Sequence, residues 1–422
     1  MPPMQHSSKL QNVNYELRGP ILQAAREMEA EGHRILKMNL GDTAPFGLEA
    51  PESVVLDMIH HLRGAQGYSD SKGIFSARTA ISQYYQTRGL MQIGVEDIFI
   101  GNGVSELISM TLQAFLENGD EILIPAPDYP LWTAAVTLAG GKPVHYVCDE
   151  NENWWPDMAE VESKITSRTK GMVIINPNNP TGAVYPRRIL EQFAALARKH
   201  DLVLFSDEIY EKVRYEDAQH IHTASVAEDV CCLTFSGLSK AYRMPGYRAG
   251  WVAITGPRAA TLAYREGLEL LASLRLCPNV PAQHAIQTCL GGYQSIEALI
   301  RPGGRLREQR DLAFELLTAI PGVTCVPAAG AMYLFPRLDP ELYPFESDEQ
   351  FVLDLLREQK ILVSHGTAFN WPRPDHFRFV ILPSVQDIRE AVRRIAAFLA
   401  AHRSVAAGVS QRSTDVMGGA AL

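Results

Sequence analysis

The sequence has little of what would assign a chain to a class at once. No stretch approaches the roughly 18 uninterrupted apolar residues of a membrane-spanning helix. Cysteine is scarce: six among 422 residues, with no C-x-x-C pair, too few for a disulfide framework. Basic residues are not in excess, since 39 Lys and Arg stand against 48 Asp and Glu for a formal net charge of −9. A nucleic-acid binder would need a basic face, so that class is set aside, although a local cationic pocket for a small anion is not. The opening Met1 to Asn12 lacks the apolar core of a secretory signal. Repeats and low-complexity segments are absent. The expectation is a cytoplasmic protein with neither membrane nor nucleic acid as partner.

What is present is ordinary in amount: 46% apolar and 21% charged residues. Those values exclude a disordered chain, a collagen-like fibre and a coiled-coil rod. At roughly 150 residues per domain, the length suggests two or three domains. Short apolar runs alternate with helical patterns through the middle: Ile98 to Ile100, Glu121 to Ile124, Met172 to Ile175, Leu202 to Phe205, Val230 to Phe235 and Trp251 to Ile254 read as buried strands. Between them Glu106 to Leu116 and Arg187 to His200 carry helix spacing. This alternation argues for an α/β domain with a mostly parallel sheet. After Pro302-Gly303-Gly304 the texture changes. A helix over 305–320, strands at Met332 to Phe335 and Phe377 to Leu382, and a closing helix over 387–402 suggest a smaller α+β domain. The last stretch, from 404, reads as a flexible tail.

Four segments carry chemistry. Ser236-Gly-Leu-Ser-Lys240 continues through Arg248 to Gly250, placing a lysine after a strand and an arginine eight residues on. A lysine held near other cations becomes a usable nucleophile and base, and arginine offers a two-pronged donor set to a phosphate. The plain alternative is a surface pair in a glycine-rich turn. Asn176-Pro-Asn-Asn179-Pro-Thr-Gly182 is a rigid polar loop at a strand end, where ligands sit in open parallel sheets; turns favour the same residues. Asp207, in Ser206-Asp207-Glu208-Ile209-Tyr210, ends a buried strand. It fits either a helix cap or the partner of a protonated pyridine nitrogen, which lets the ring absorb electrons. Gly101-Asn102-Gly103-Val104-Ser105-Glu106 offers helix-terminal amides to a phosphate. A nicotinamide-dinucleotide fold is its rival, weakened because position 106 is not glycine.

Together the four segments resemble the fold-type I aminotransferases that use pyridoxal 5′-phosphate, over about residues 7 to 402. The resemblance implies a three-layer α/β/α large domain with a mostly parallel seven-stranded sheet, over 46–300, and a smaller α+β domain from both chain ends, 1–45 and 301–403. It implies that Lys240 carries the cofactor as an aldimine and that Arg248, Gly103, Val104 and Ser105 hold its phosphate. Asp207 then faces the pyridine nitrogen, Asn179 and Tyr210 bond the phenolic oxygen, and Tyr129 stacks on the ring. Tyr68, in Gly67-Tyr68-Ser69, matches the tyrosine that reaches the partner subunit's phosphate, so a homodimer with shared sites is implied. Arg378, in His376-Phe377-Arg378, matches the clamp on the α-carboxylate, and Gly41 a backbone that lies close to substrate. Many relatives carry a serine where this chain has Gly237; Ser236 and Ser239 stand beside it.

Three stretches (Asn12 to Ile21, Gly237 to Arg243, Leu274 to Gln283) are similar to those of bacterial glutamate–pyruvate (alanine) aminotransferases. They imply a ping-pong reaction of alanine and 2-oxoglutarate giving pyruvate and glutamate. Such a site must accept a methyl group and also a second carboxylate, and an unpaired buried carboxylate costs several kcal/mol. Arg18, with Tyr15 near it in sequence, is the first candidate for the matching cation, and Arg275 the rival. Other readings are a related enzyme of the same cofactor class (an aspartate, valine or aromatic aminotransferase, or a C–S lyase), a nicotinamide-dependent dehydrogenase, and a cofactor-binding regulatory domain. His220 and His222 read as two exposed residues alternating on a strand, and no metal is placed there.

Overall fold

The computed structural model describes residues 4–13 and 19–404. Tyr15 and Arg18, and the expected tail from 405 on, lie outside the described residues. Eight strands form the main sheet: β1 (Ile98–Gly101), β2 (Glu121–Ala126), β3 (Lys142–Asp149), β4 (Trp155–Pro156), β5 (Thr169–Ile175), β6 (Val203–Asp207), β7 (Cys232–Gly237) and β8 (Gly250–Thr255). Their spatial order is β1-β8-β7-β6-β5-β2-β3-β4. The run from β7 to β3 is parallel; β8 lies antiparallel to both β1 and β7, and β4 antiparallel to β3. Six of the strands show in the sequence as apolar runs; the partly exposed β3 and the two-residue edge β4 do not.

Side chains along those six strands go alternately to two buried faces, which is why they read as continuous apolar runs. Phe99, Val173, Phe205, Phe235 and Val252 pack on one side with Leu107, Trp132 and Leu268. Ile100, Ile174, Leu204 and Trp251 pack on the other with Ile81, Phe193 and Ile286. The helix Arg187–His200 has the predicted bounds and buries Ile189, Leu190, Phe193 and Leu196, with Arg198, Lys199 and His200 in its last turn, where cations suit the helix dipole.

A third core gathers residues 21–48 and 296–399, together with Tyr210, Val213 and Tyr215. Two chain regions meet there: Leu36–Lys37 pairs parallel with Ile361–Leu362, and the helices Arg305–Thr318 and Val385–Ala401 pack together. The strand expected over Met332 to Phe335 shrinks to Tyr333–Leu334, because Ala331 adopts φ 58° on one side and Pro336, which lacks an amide proton, follows on the other. It pairs with Phe377–Val380, which pairs in turn with Ser364–His365. No helix among the described residues is long and apolar enough to cross a membrane, and all six cysteines are free.

Candidate active site

Because β1, β2, β5, β6 and β7 run in one direction, the segments after them emerge at one sheet edge. These are 101–105, 127–130, 176–179, 207–210 and 237–240. A cavity of about 350 Å³ opens there, closed from the other side by Asn39 to Asp42, Tyr333, Ser364 and Arg378. Of the sequence-predicted residues, Lys240, Asp207, Tyr210, Arg248, Val104, Ser105, Tyr129, Asn179, Gly41 and Arg378 all line it.

One end is a cradle for an anion. Gly103, at φ 82°, precedes the helix Val104–Gln113, whose first two residues line the cavity, and a helix N-terminus suits an anion. A side chain on Gly103 would run into the Arg248 guanidinium, and one on Gly250 would come within 2.7 Å of the Val104 amide nitrogen, so both glycines let the loop close on the arginine. Arg248 donates to Ser105 Oγ at 2.9 Å, to the Asn102 carbonyl at 3.2 Å and to the Pro245 carbonyl at 2.8 Å. A Cβ at Gly237 would meet the Ala249 oxygen and Gly250 Cα at 2.9 Å, which accounts for glycine there. Of its neighbours, Ser239 lines the cavity and Ser236 is buried in β7.

In the middle, Asp207 sits fully enclosed at the end of β6. It accepts from Trp132 Nε1 at 3.2 Å and from the Ile209 amide at 3.2 Å, and no Lys, Arg or His among the described residues forms an ion pair with it. Burial pushes its carboxyl up to about 6 against these two bonds. No helix follows Asp207, so the helix-cap reading fails: one oxygen holds the Ile209 amide within a turn and the other meets Trp132. Lys240 Nζ donates to the Gly41 carbonyl at 2.8 Å and lies 5.8 Å from the centre of the Tyr210 ring.

At the far end stands Arg378. Its guanidinium donates to Asn179 Oδ1 at 3.1 Å and the Asn39 carbonyl at 2.6 Å, and it is sandwiched by Tyr333 and Phe369, 4.6 and 4.7 Å from the ring centres. Its Nε is buried without a partner, as is Asn39 Oδ1. Among the loop asparagines the roles divide. Asn176 accepts from the Tyr185 amide and Asn178 from Thr181, so both stitch the loop, and Asn179 alone faces the cavity.

Four residues weighed from the sequence lie elsewhere. Tyr68 is 83% exposed and lines no part of its own chain's cavity. Arg275 is committed to Glu106 at 2.9 Å and to the Ser71 and Ile100 carbonyls, which removes it as a free cation for substrate. His220 and His222 are not exposed. Their side chains are 4% and 9% accessible and both contact Glu208, at 3.1 and 2.5 Å. Burial alone would raise the Glu208 carboxyl, but these histidines and their hydrogen bonds hold it well below the usual range. The strand-like alternation misled because segment 219–222 forms no strand and turns its histidines inward onto a buried acid. Sequence reasoning missed Tyr333 and Trp132. Both occur in apolar stretches where an aromatic residue is unremarkable.

A family model described as aminotransferase class I and II matches residues 35–395. The chain belongs to that aminotransferase family. An alanine aminotransferase of Mycobacterium tuberculosis (strain H37Rv) is 62% identical over 398 residues, 94% of this chain and 93% of that one. A glutamate-pyruvate aminotransferase of Escherichia coli K12 is 55% identical over 405 residues, covering 96% and 100%. Among solved structures, an Escherichia coli aminotransferase superposes with a TM-score of 0.94 at 55% identity, over 96% of this chain and all of that one. An alanine aminotransferase from Pyrococcus furiosus gives 0.89 at 35%, over 94% and 100%. The neighbours are fold-type I aminotransferases, and this aminotransferase shares their α/β architecture. Members of the family use pyridoxal phosphate. The residues present suit that group: a cradle of helix amides and arginine for a phosphate, a buried carboxylate lacking a cation, and a lysine between them.

Proposed function

We propose that this aminotransferase exchanges amino groups between alanine and 2-oxoglutarate, giving pyruvate and glutamate, with pyridoxal phosphate held at Lys240. The observation that carries the reading is the line of Arg248, Asp207, Lys240 and Arg378 along one 350 Å³ cavity. The 55–62% identity to enzymes named for alanine or glutamate and pyruvate supports the substrate pair. Pyridoxal phosphate, when bound, supplies an electron-accepting ring that makes the α-proton of an amino acid removable. The chain does the rest. Arg248, Ser105 and the amides at 103–105 hold the phosphate. Asp207 would keep a proton on the ring nitrogen, Tyr129 would hold the ring, and Asn179 and Tyr210 would donate to its phenolic oxygen. Arg378 grips the α-carboxylate with two parallel donors and so fixes orientation as well as affinity. Lys240 Nζ takes the α-proton and returns it. One amino acid and one oxo acid use the same cavity in turn, so ping-pong kinetics follow.

The test is optical. The purified enzyme should show a visible band that borohydride fixes onto Lys240 and that alanine, but not buffer, abolishes; 2-oxoglutarate should restore it. Restoration by oxaloacetate with indifference to pyruvate and alanine would move the enzyme to a different branch.

The same reading includes the domain division 46–300 against 1–45 with 301–403, a cytoplasmic setting, which the free thiols suit, and a homodimer with shared sites. Most of the large apolar side chains left exposed among the described residues fall in two stretches: Leu56, Ile59, Leu62, Tyr68 and Phe75, then Leu262, Leu270, Leu274, Leu276 and Tyr293. Such surface supports an interface between copies. With Arg275 committed to Glu106, Arg18 is the proposed partner of the second carboxylate. Arg18→Ala should raise KM for glutamate and 2-oxoglutarate at least about tenfold and leave alanine and pyruvate within about threefold. Equal losses in steady-state kinetics would remove Arg18 from that role.

A further inference from the structure

Tyr333 touches three working parts of the cavity at once. Its hydroxyl is 2.6 Å from that of Tyr210. Its ring lies under the Arg378 guanidinium at 4.6 Å. A Cβ on Gly41 would fall 2.5 Å from its hydroxyl oxygen, so the backbone whose carbonyl accepts from Lys240 lies directly against it. The side chain is 2% exposed.

Two hydroxyls in contact carry two protons and share one hydrogen bond, so the second proton must go elsewhere. Among the described residues the Tyr333 hydroxyl has no hydrogen-bond partner but Tyr210, and the cations beside it, Lys240 and Arg378, cannot accept. Burial raises both phenols. On Tyr333 the Lys240 and Arg378 charges and the bond from Tyr210 outweigh it and hold the group below its ordinary value, whereas Tyr210 stays well above. Either hydroxyl can be the donor of the bond between them. Once an acceptor stands before Tyr210, both protons are satisfied only in one order, Tyr333 to Tyr210 and Tyr210 into the cavity. A buried donor left without an acceptor costs about 1–3 kcal/mol.

We propose that Tyr333 is a positioning residue that donates to Tyr210 and thereby aims the Tyr210 proton at the phenolic oxygen of the bound cofactor. This rests on the placement of Tyr210 given above. A donor at that oxygen favours its anionic form, and a hydrogen bond received by Tyr210 strengthens the one it gives by about 10–30%. Losing either hydroxyl should raise the pH at which the cofactor's visible band titrates.

The experiment is that titration on the holoenzyme, for the native protein, Tyr210→Phe, Tyr333→Phe and the double variant. Tyr210→Phe should move the midpoint up by about one pH unit or more, and Tyr333→Phe by about 0.3. The double variant should match Tyr210→Phe alone. Because phenylalanine keeps the ring under Arg378, KM for alanine should stay within about twofold in Tyr333→Phe while kcat falls. An unmoved midpoint in Tyr333→Phe, or an equal shift in the Tyr210→Phe background, overturns the proposal. So does a raised KM with an unmoved band, which would tie Tyr333 to Arg378 instead. A silent Tyr210→Phe overturns the placement of Tyr210 and this inference with it.

Discussion

Replacing Lys240 with alanine should abolish transamination while leaving a folded protein that still takes up cofactor. The loss in kcat should be at least about 10⁴-fold, since one side chain provides both the covalent attachment and the proton carrier. Retention of cofactor follows from the division of labour along the cavity. The proposed phosphate cradle of Arg248, Ser105 and the amides of 103–105 has no hydrogen bond to Lys240 among the described residues, and Asp207 is held by Trp132 and the Ile209 amide. The fold should survive because, among the described residues, Lys240 Nζ makes one hydrogen bond, to the Gly41 carbonyl at the cavity wall. Three measurements check the prediction together: single-turnover kinetics with alanine, circular dichroism, and cofactor retention after gel filtration. Turnover near the native rate would place the chemistry on another group. Loss of the fold would make Lys240 structural.

The large sheet was legible in the sequence because six of its strands are buried on both faces and so appear as apolar runs, whereas the partly exposed β3 does not. Their C-terminal ends could therefore be located, and with them Lys240, Asp207, Asn179 and Gly103. The two-residue strand β4 leaves no such trace. The small-domain strands were overestimated for a related reason: apolar texture continues past Leu334 and Val380, while the pairing is cut short by Ala331 and by the prolines at 336 and 383. Arg275 and the two histidines show the limit of reading residue types by spacing. Whether a cation is free depends on which carboxylate or carbonyl the fold brings to it, and Glu106 and Glu208 are brought by tertiary packing. Tyr333 was hidden because nothing distinguishes a tyrosine aimed at a catalytic group from one filling a core. Its meaning came only with Tyr210, 123 positions away.

Asp207→Asn should separate function from stability, with opposite signs. The free carboxyl titrates near 3.9 in an unfolded chain and at about 6 in this site, where burial favours the neutral form. Between those values the folded state binds more protons than the unfolded one. Stability of the cofactor-free protein therefore falls as pH rises through roughly 4 to 6, and above that window the ionised group costs about 3 kcal/mol. Asparagine is nearly isosteric, can still accept from Trp132 Nε1, and has nothing to ionise. The cofactor-free variant should thus match the native protein in Tm near pH 4 and exceed it by a few °C near pH 8. Activity should move the other way, with kcat/KM reduced about 10²–10³-fold, because the amide cannot hold a proton on the ring nitrogen. A variant that lost Tm at pH 8 together with activity would show that the turn closed on the Ile209 amide, and not the cavity, is what Asp207 serves. Higher stability with lower activity would instead identify Asp207 as an ionised group buried at a cost to the fold for the cation it receives when the cofactor binds.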